Sequence, residues 1–413
     1  SQYTQAGEKL TKDRKTVLFL MGNYYAFLVN GALILMLGAV MPYLLKDYQL
    51  RYDQGGTLLM LQSVGNLIAA ILGGIVSAYT GRRAVLVFGA LAFAAGYGGA
   101  ACVPVPAALP AFLILSGFGW GIINNLVNVV VSERVKGDAG AINILHMAFG
   151  VGAFLGPLLV SLSVHAGLGW RGAMGMVAVL SLILAYVFFR MDLPDAAGSN
   201  DTPHPRRKIS FAFLKDLRYY VFMLILFFYV GSENSVNGWL TTYLLDTGIA
   251  DEFYAQRLLS VTWIAVIAGR LLCAWLSKYL SKEVLLLAGG AGSVLFVIGL
   301  ILSDSPLMVT LSVIGLGLFF AGIYPNTVAN ADDLLQGSGT AGGLLFSCGG
   351  LGSTILPYLV GIRAEAGGIG SGMKILIFTL FSMVLLCAVN LILSKRRGVS
   401  GRSNILKNGE MNI

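Results

Sequence analysis

Long apolar segments alternate with short polar ones along the whole chain. Most apolar segments have about 20 residues or more, enough for a helix to cross a hydrocarbon core of about 30 Å. The breaks between them are short and polar, for example "YTGRRA", "SERVKGDA" and "LSKYLSKE". The pattern predicts twelve membrane-spanning helices, numbered here as spans 1 to 12: 16–45, 55–79, 84–103, 108–131, 138–165, 171–190, 217–246, 255–280, 283–303, 306–330, 340–362 and 371–394.

The composition narrows the class of protein. The 413 residues are 56% hydrophobic and only 12% charged, with a mean hydropathy of +0.78, whereas a soluble domain has about 25% charged residues. The sequence contains no nucleophile–base pairing, metal-ligand spacing or phosphate-binding loop. We therefore expect an all-α membrane protein that is not an enzyme and uses no cofactor and no metal.

The distribution of basic residues predicts the orientation. Of the 28 Lys and Arg, 21 fall in segments on one side of the predicted spans, six fall on the other side, and Arg270 alone lies inside a span. Lys and Arg accumulate in cytoplasmic loops, so both termini are expected in the cytoplasm. The net charge of +8 is thus a topology signal and does not indicate nucleic-acid binding. We expect a monomer, surrounded by lipids, in the cytoplasmic membrane of a bacterium.

The sequence repeats itself after 200 residues. In this register Gly31 aligns with Gly231, Gly38 with Gly238, Gly152 with Gly352 and Pro157 with Pro357, and Tyr43-Leu44-Leu45 aligns with Tyr243-Leu244-Leu245. Self-similarity at a fixed period indicates duplicated structural units. The repeat predicts two six-helix bundles, residues 1–190 and 217–394, joined by a cytoplasmic linker at 191–216. A basic cytoplasmic tail follows at 395–413.

Polar side chains recur inside the predicted spans. An unpaired polar group is costly in hydrocarbon, so each one is a functional-site hypothesis. For any single asparagine, helix–helix packing and ligand contact stay equally open. The predicted substrate-binding residues are Asn30, Gln62, Asn66, Asn124, Asn128, Asn143, His146, Glu233, Asn237, Trp239, Tyr324 and Asn326.

Two motifs carry a resemblance to the major facilitator superfamily. Six plus six helices with a long central loop is that superfamily's architecture. "GRRA" (81–84) resembles its loop between spans 2 and 3, although Ala78 replaces the usual Asp and Tyr79 the usual base. "GAFLGP" (152–157) resembles its packing motif on span 5. The resemblance implies that spans 1, 4, 7 and 10 line a central cavity. It also implies gating or structural roles for Arg82, Arg83, Gly152, Gly156 and Pro157. The position of Arg270 in the inner half of span 8 separately favours a role in holding backbone carbonyls or the inner gate.

Longer stretches resemble the fucose–galactose–glucose:proton symporter family. They are "YVGSENSVNGWLTTYL" on span 7, "GRLLCAWL" on span 8, "YPNTVAN" on span 10, and "INNLVN" and "INILHMAFGVGAFLGPLL" on spans 4 and 5. That family couples transport to protons through an Asp on span 1 and a Glu on span 4. These positions fall at about Gly38 and Asn124 here, so the coupling carboxylates do not carry over. Glu233 is the acidic group left near mid-membrane, with His146 as a candidate partner.

The chemistry of the polar residues favours a neutral sugar or polyol as the substrate. Amides can bridge neighbouring hydroxyls, and aromatic faces can stack on the C–H surface of a sugar. We expect proton coupling through Glu233, with sodium as the other possible coupling ion. An uncoupled sugar facilitator and an exporter of drugs or lipids are the alternatives. The sequence also leaves two questions open: whether Arg270 pairs with Glu233, and whether Asp332 and Asp333 form a gate contact or a solvated loop.

Overall fold

The structure is a computed structural model. It describes residues 2–135, 139–193, 211–336 and 339–410, with side chains described for 14–135, 140–193, 211–336 and 340–396. Most of the predicted linker lies outside the described residues, as do 411–413 of the predicted tail. The predicted domain boundaries stay predictions.

The described residues form α-helices and short 3₁₀ turns. Twelve spans among them are long and apolar enough to cross a membrane, which confirms the predicted all-α architecture of twelve spans. The helices are α1 (Gln2–Asp47), α2 (Tyr52–Thr80), α3 (Arg82–Cys102), α4 (Leu109–Arg134), α5 (Ala139–His165), α6 (Gly169–Arg190), α7 (Leu217–Asp246), α8 (Glu252–Leu276), α9 (Lys282–Leu302), α10 (Pro306–Phe320), α11 (Ile323–Leu335), α12 (Gly339–Gly367), α13 (Ile369–Met373) and α14 (Ile375–Glu410).

Span 10 is divided where the sequence places a proline. α10 ends at Phe320 and α11 begins at Ile323. Pro325 has no N–H to donate, and it sits in the first turn of α11, where backbone N–H groups have no intrahelical acceptor. The break therefore removes the cost that a proline has inside a continuous helix.

The chain forms two compact units. Unit 1 contains Ser1–Arg206, Val236–Ile264 and Pro357–Gly372, and unit 2 contains Arg207–Ser235, Ala265–Leu356 and Met373–Ile413. Unit 1 thus combines the predicted N-terminal bundle with two segments of the predicted C-terminal bundle, whereas unit 2 takes segments only from residue 207 onwards. α7 is divided after Ser235, so its first part belongs to unit 2 and its last part to unit 1.

Glycines allow close helix packing inside each unit. In unit 1, a β-carbon at Gly31 of α1 would overlap the Phe149 carbonyl oxygen of α5, and one at Gly152 would overlap that of Leu28. In unit 2, a β-carbon at Gly231 of α7 would lie 2.6 Å from the carbonyl oxygen of Gly352 on α12. Gly31 and Gly231 are related by the 200-residue repeat, as are Gly152 and Gly352, although the carbonyl groups that they meet are not. The repeat therefore preserves glycines that allow close helix contact.

The other two span 5 candidates, Gly156 and Pro157, also lie on α5. A β-carbon at Gly156 would lie 2.7 Å from the Ala32 carbonyl oxygen of α1, and Pro157 lies inside α5. The "GAFLGP" motif thus packs α5 against α1.

Candidate functional site

Three asparagines on α1 and α4 form a connected group in unit 1. Asn30 is fully buried, and its Nδ2 donates to Oδ1 of Asn124 at 3.4 Å. Nδ2 of Asn128 donates to the backbone oxygen of Asn124, one turn earlier on the same helix, at 2.6 Å. Asn124 and Asn128 are only half-buried. These two can offer amide groups to a ligand, while Asn30 helps to orient Asn124.

The two candidate residues on α5 have accessible side chains. Asn143 and His146 are both exposed. The imidazole of His146 meets the ring of Phe27 edge-on, with 5.7 Å between centroids, and Phe27 packs against Phe149 at 6.3 Å. Aromatic rings therefore support His146 on one side, while the side chain of Asn143 remains accessible.

The α7 candidates of unit 1 are packed against other helices. Oδ1 of Asn237 accepts a hydrogen bond from Nε1 of Trp263 on α8 at 3.3 Å, and the Trp263 ring lies 5.4 Å from that of Phe149. Trp239 is fully buried, and its Nε1 donates to the backbone oxygen of Pro357 on α12 at 2.9 Å. In this conformation Trp239 offers no face to a ligand, so its predicted stacking role stays a prediction.

The two α2 candidates contribute to helix packing. Nε2 of Gln62 donates to the hydroxyl oxygens of Tyr97 at 2.8 Å and Ser116 at 3.0 Å. Asn66 is half-buried, and a β-carbon at Gly121 of α4 would overlap its backbone oxygen. Both positions hold the close contact between α2 and α4. Their predicted contact with a substrate stays a prediction.

Sequence reasoning missed a set of contacts at the predicted outer ends of unit 1. The hydroxyl of Tyr43 on α1 donates to Glu252 at the start of α8. The hydroxyl of Tyr52 on α2 donates to Asp246 at 2.7 Å, and its backbone N–H donates to Glu365 at 3.0 Å. These carboxylates lie at helix ends, where a sequence pattern cannot distinguish a solvated group from a bonded one. They join α1 and α2 to α7, α8 and α12.

Glu233 is the central polar residue of unit 2. It is half-buried, and its carboxylate accepts a hydrogen bond from the hydroxyl of Tyr229, one turn earlier on α7, at 2.8 Å. The buried ring of Tyr229 packs edge-on against Phe320 at 5.6 Å. The guanidinium of Arg270 is exposed, and no direct ion pair joins it to Glu233 among the described side chains. In this conformation Arg270 therefore does not pair with Glu233.

The two α11 candidates differ in accessibility. Tyr324 is 39% exposed, and its ring stacks on Phe346 of α12 with 6.1 Å between centroids. Asn326 is buried, and its Nδ2 donates to the backbone oxygen of Gly322 at 2.8 Å and to Sγ of Cys273 at 3.2 Å. Tyr324 can therefore contact a ligand from unit 2, while Asn326 joins α11 to α8.

The predicted gating arginines bind helix ends in unit 1. Both terminal nitrogens of Arg82 donate to the carboxylate of Glu133 at the end of α4, at 2.5 and 2.9 Å. Arg83 donates to the backbone oxygen of Met191, just after α6, at 3.0 Å. The loop therefore joins α3 to α4 and α6, although it lacks the superfamily's Asp at position 78.

Asp333 occupies the position of Glu133 in the 200-residue repeat. Arg218 of α7 donates to Asp333 at 2.6 Å and to Asp216 at 3.1 Å. Asp332 accepts a hydrogen bond from Gln336 at 2.7 Å. Asp333 therefore joins the end of α11 to α7 within unit 2, while both acidic side chains stay exposed.

The candidates thus fall into two sets, one in each unit. Unit 1 holds the half-buried and exposed amides with His146, and unit 2 holds Glu233, Tyr229 and Tyr324. Since His146 and Glu233 belong to different units, their predicted cooperation stays a prediction. Among the described residues, no group of three or more His, Cys, Asp or Glu side chains could hold a metal ion.

Known proteins resemble this chain over most of its length. The crystal structure of the nucleoside transporter NupG superposes with a TM-score of 0.72 at 18% identity, covering 92% of this chain and 99% of NupG, which shows a shared fold. The putative niacin/nicotinamide transporter NiaP of Bacillus subtilis is 27% identical, over 81% of this chain and 84% of NiaP. The sodium-dependent glucose transporter 1A of Mus musculus is 23% identical, over 82% of this chain and 88% of that transporter. Residues 24–357 match the family model of the Major Facilitator Superfamily, and the chain therefore belongs to that superfamily of membrane transporters.

Proposed function

We propose that the chain moves a neutral sugar or related polyol across the cytoplasmic membrane by alternating access, coupled to protons through Glu233. Membership of the superfamily makes it a multi-pass transporter. The substrate, the coupling ion, the cytoplasmic position of both termini and the bacterial membrane are the proposed parts.

Neutral hydrogen-bonding groups support a polyol substrate. Asn124, Asn128 and Asn143 keep amide surface open in unit 1, and each amide offers two donors and an acceptor oxygen. Tyr324 exposes part of an aromatic ring in unit 2. Amide groups of this kind discriminate well between hydroxylated ligands, because a ligand without a matching hydroxyl leaves polar groups unpaired. The glucose transporter among the relatives agrees with this substrate class.

The observation that carries the coupling proposal is the Glu233–Tyr229 pair. In the described part of the chain, Glu233 is the one carboxylate more than two helical turns from the end of a membrane-spanning helix. Its hydrogen bond comes from its own helix, at 2.8 Å, so no neighbouring helix holds it in one charge state through a direct ion pair. An intramembrane carboxyl of this kind is typical of proton relays in transporters.

A ligand screen tests the substrate class. Hexoses, deoxyhexoses, anhydrohexitols and disaccharides would be added to the purified protein at two pH values, and thermal unfolding recorded. A ligand at 100 times its Kd stabilises the folded state by about 2.7 kcal/mol, so a sugar substrate raises Tm by several degrees. Stabilisation by amphiphilic drugs and none by sugars would instead support an exporter.

Uptake into proteoliposomes tests the coupling. Glu233→Gln keeps the shape of the side chain and removes its charge, so it should still equilibrate the sugar but lose accumulation driven by a pH gradient. Asp332→Asn is the matched control, since Asp332 lies at a helix end and accepts a bond from Gln336; it should accumulate sugar like the unchanged chain. If Glu233→Gln accumulates as much sugar as the unchanged chain, Glu233 does not couple transport to protons. If the unchanged chain itself shows no accumulation driven by a pH gradient, the protein is an uncoupled facilitator.

An anionic substrate is the second candidate function, favoured by Arg270. This guanidinium is exposed within a membrane-spanning helix and has no ion pair among the described residues. Nicotinate in the same thermal screen tests it. If nicotinate stabilises the unchanged chain and Arg270→Gln abolishes that stabilisation, the proposed substrate class would be a carboxylate instead of a neutral sugar or polyol.

A further inference from the structure

Several buried oxygen atoms near the junction of α7 and α8 lack partners. In the described part of the chain, seven buried side-chain oxygens accept or donate no hydrogen bond, and four of them belong to α7 and α8: Thr241, Thr242, Gln256 and Ser260. All four residues lie in unit 1 and are at most 1% exposed. A buried polar group left unpaired costs about 1–3 kcal/mol, so such a group needs a physical explanation.

The hydroxyls of Thr241 and Ser260 are not bonded to their own helices. Buried hydroxyls on neighbouring turns donate to the carbonyl four residues earlier, as Thr262 does to Leu258 at 2.9 Å and Ser235 to Gly231 at 2.7 Å. Thr241 and Ser260 do not make this bond. These two oxygens therefore lack the partner that a buried hydroxyl on a helix usually finds.

The register of α7 and α8 brings these oxygens to one level. The bond from Trp263 to Asn237 fixes the register of the two helices, which run in opposite directions because five residues connect them. Thr241 is one turn beyond Asn237, and Ser260 is three residues before Trp263. At about 1.5 Å of rise per residue, Thr241 lies about 6 Å and Ser260 about 4.5 Å along the helix axes from the level of the Asn237–Trp263 bond, on the same side of it.

Gln256 adds an amide oxygen to this group. It lies one turn before Ser260 on the same face of α8, and its Nε2 donates to the backbone oxygen of Ala39 on α1 at 2.7 Å. The amide nitrogen is thereby occupied, while Oε1 has no partner. Gln256 itself lies about 10 Å along α8 from the level of the Asn237–Trp263 bond, and the unbonded side-chain atoms on these neighbouring turns are all oxygens.

Oxygen-only surroundings suit a hard cation. Such ions are bound by carboxylate, carbonyl and hydroxyl oxygens and water, and carbonyl oxygens can replace the hydration shell of a monovalent ion. Amide and hydroxyl oxygens carry no net charge to balance a divalent ion. One negative charge is close by, because Glu252 lies one turn before Gln256 and bonds Tyr43 of α1.

We propose that Thr241, Gln256 and Ser260 bind a sodium ion between α7 and α8 in unit 1. The ion supplies the electrostatic partner that these oxygens lack and stabilises the packing of α7 and α8 against α1. The proposal rests on the proposed function only where it gives sodium a role in transport, as a second ion beside the proton. Binding of the ion itself is independent of the sugar.

Thermal unfolding in different salts tests the site. The purified full chain would be compared in sodium, potassium and N-methyl-D-glucamine chloride at equal ionic strength and pH. Sodium should raise Tm in a concentration-dependent way, as expected for a ligand that binds only the folded state. Thr241→Val with Ser260→Ala should weaken the apparent sodium affinity at least tenfold. The double variant should be no less stable than the unchanged chain in N-methyl-D-glucamine, because its unpaired hydroxyls are gone.

Thr262→Val is the matched control. Thr262 is buried on the same helix, but its hydroxyl is bonded to Leu258, so this variant should keep the full sodium response. Equal stability of the unchanged chain in all three salts would overturn the proposal and leave ordered water as the partner. A sodium response that survives in the double variant would place the ion elsewhere, which also overturns it.

A second readout separates this proposal from the proposed function. Stabilisation by sugar would be measured in sodium-free buffer. A sugar response without any sodium response supports the transporter proposal and refutes the ion site. A sodium response without any sugar response supports the ion site and refutes the substrate class.

Discussion

α7 uses polar side chains differently in its two parts. In the part that belongs to unit 2, Tyr229 donates to Glu233 on the same helix, and Glu233 remains half-buried. In the part that belongs to unit 1, Asn237 and Trp239 bond to other helices and are buried. A polar residue in an apolar span can thus hold helices together or stay available to a ligand. The partner on a neighbouring helix decides which, and the span's own sequence does not show it.

The largest loss of stability is expected from truncating Trp239, the fully buried tryptophan of α7. Trp239→Ala deletes a fully buried indole and its bond to Pro357, and truncating a buried aromatic costs about 3–5 kcal/mol. We expect a large loss of Tm in detergent. Trp275→Ala is the control, because Trp275 is 54% exposed and its loss should cost little. Similar losses for both variants would show that Trp239 does not hold the helices of unit 1 together.

A smaller effect is expected where α7 meets α1. A β-carbon at Gly38 would overlap the backbone oxygen of Asn237, so Gly38→Ala must push two backbones apart. Overpacking of this kind costs about 1–3 kcal/mol. Gly74→Ala on α2 is the matched control, since nothing lies within 4 Å of its added carbon, and alanine stabilises a helix interior by about 1 kcal/mol. Thermal unfolding should therefore move in opposite directions for the two variants, and a shared direction would contradict the close approach.

Most of the fold could be predicted because membrane burial imposes a strong one-dimensional pattern. Each apolar run of sufficient length becomes a span, and the repeated glycines at 31 and 231 and at 152 and 352 mark repeated helix contacts. The prediction did not include the break of span 10 before Pro325. It also did not include the two units, because contacts between distant parts of the chain determine them and no local pattern records those contacts.

The candidate site could be predicted only as a collection of residue types. Gln62 and Asn143 are both amides in apolar spans, yet Gln62 is bonded to Tyr97 while Asn143 is exposed. The sequence contains no difference that separates them. Glu252 and Asp246 were not among the predicted residues, because a position at a helix end does not show whether a carboxylate is solvated or bonded; the structure bonds both to tyrosines.

The smallest effect on stability is expected from changing Asn143, a polar residue that is not packed against other helices as Asn237 and Trp239 are. Asn143 is exposed on α5, so Asn143→Ala should change the free energy of unfolding by less than about 0.5 kcal/mol, as is usual for exposed positions without a packing role. If the residue binds a hydroxyl of the substrate, the same variant should lose much of the Tm increase that the best sugar produces. Ser382→Ala is the control: Ser382 is half-buried on α14 and bonded to Phe378 of its own helix, so the ligand response of this variant should not change. A full sugar response in Asn143→Ala would remove this amide from the site, and a large loss of stability without ligand would show that it packs against a neighbouring helix.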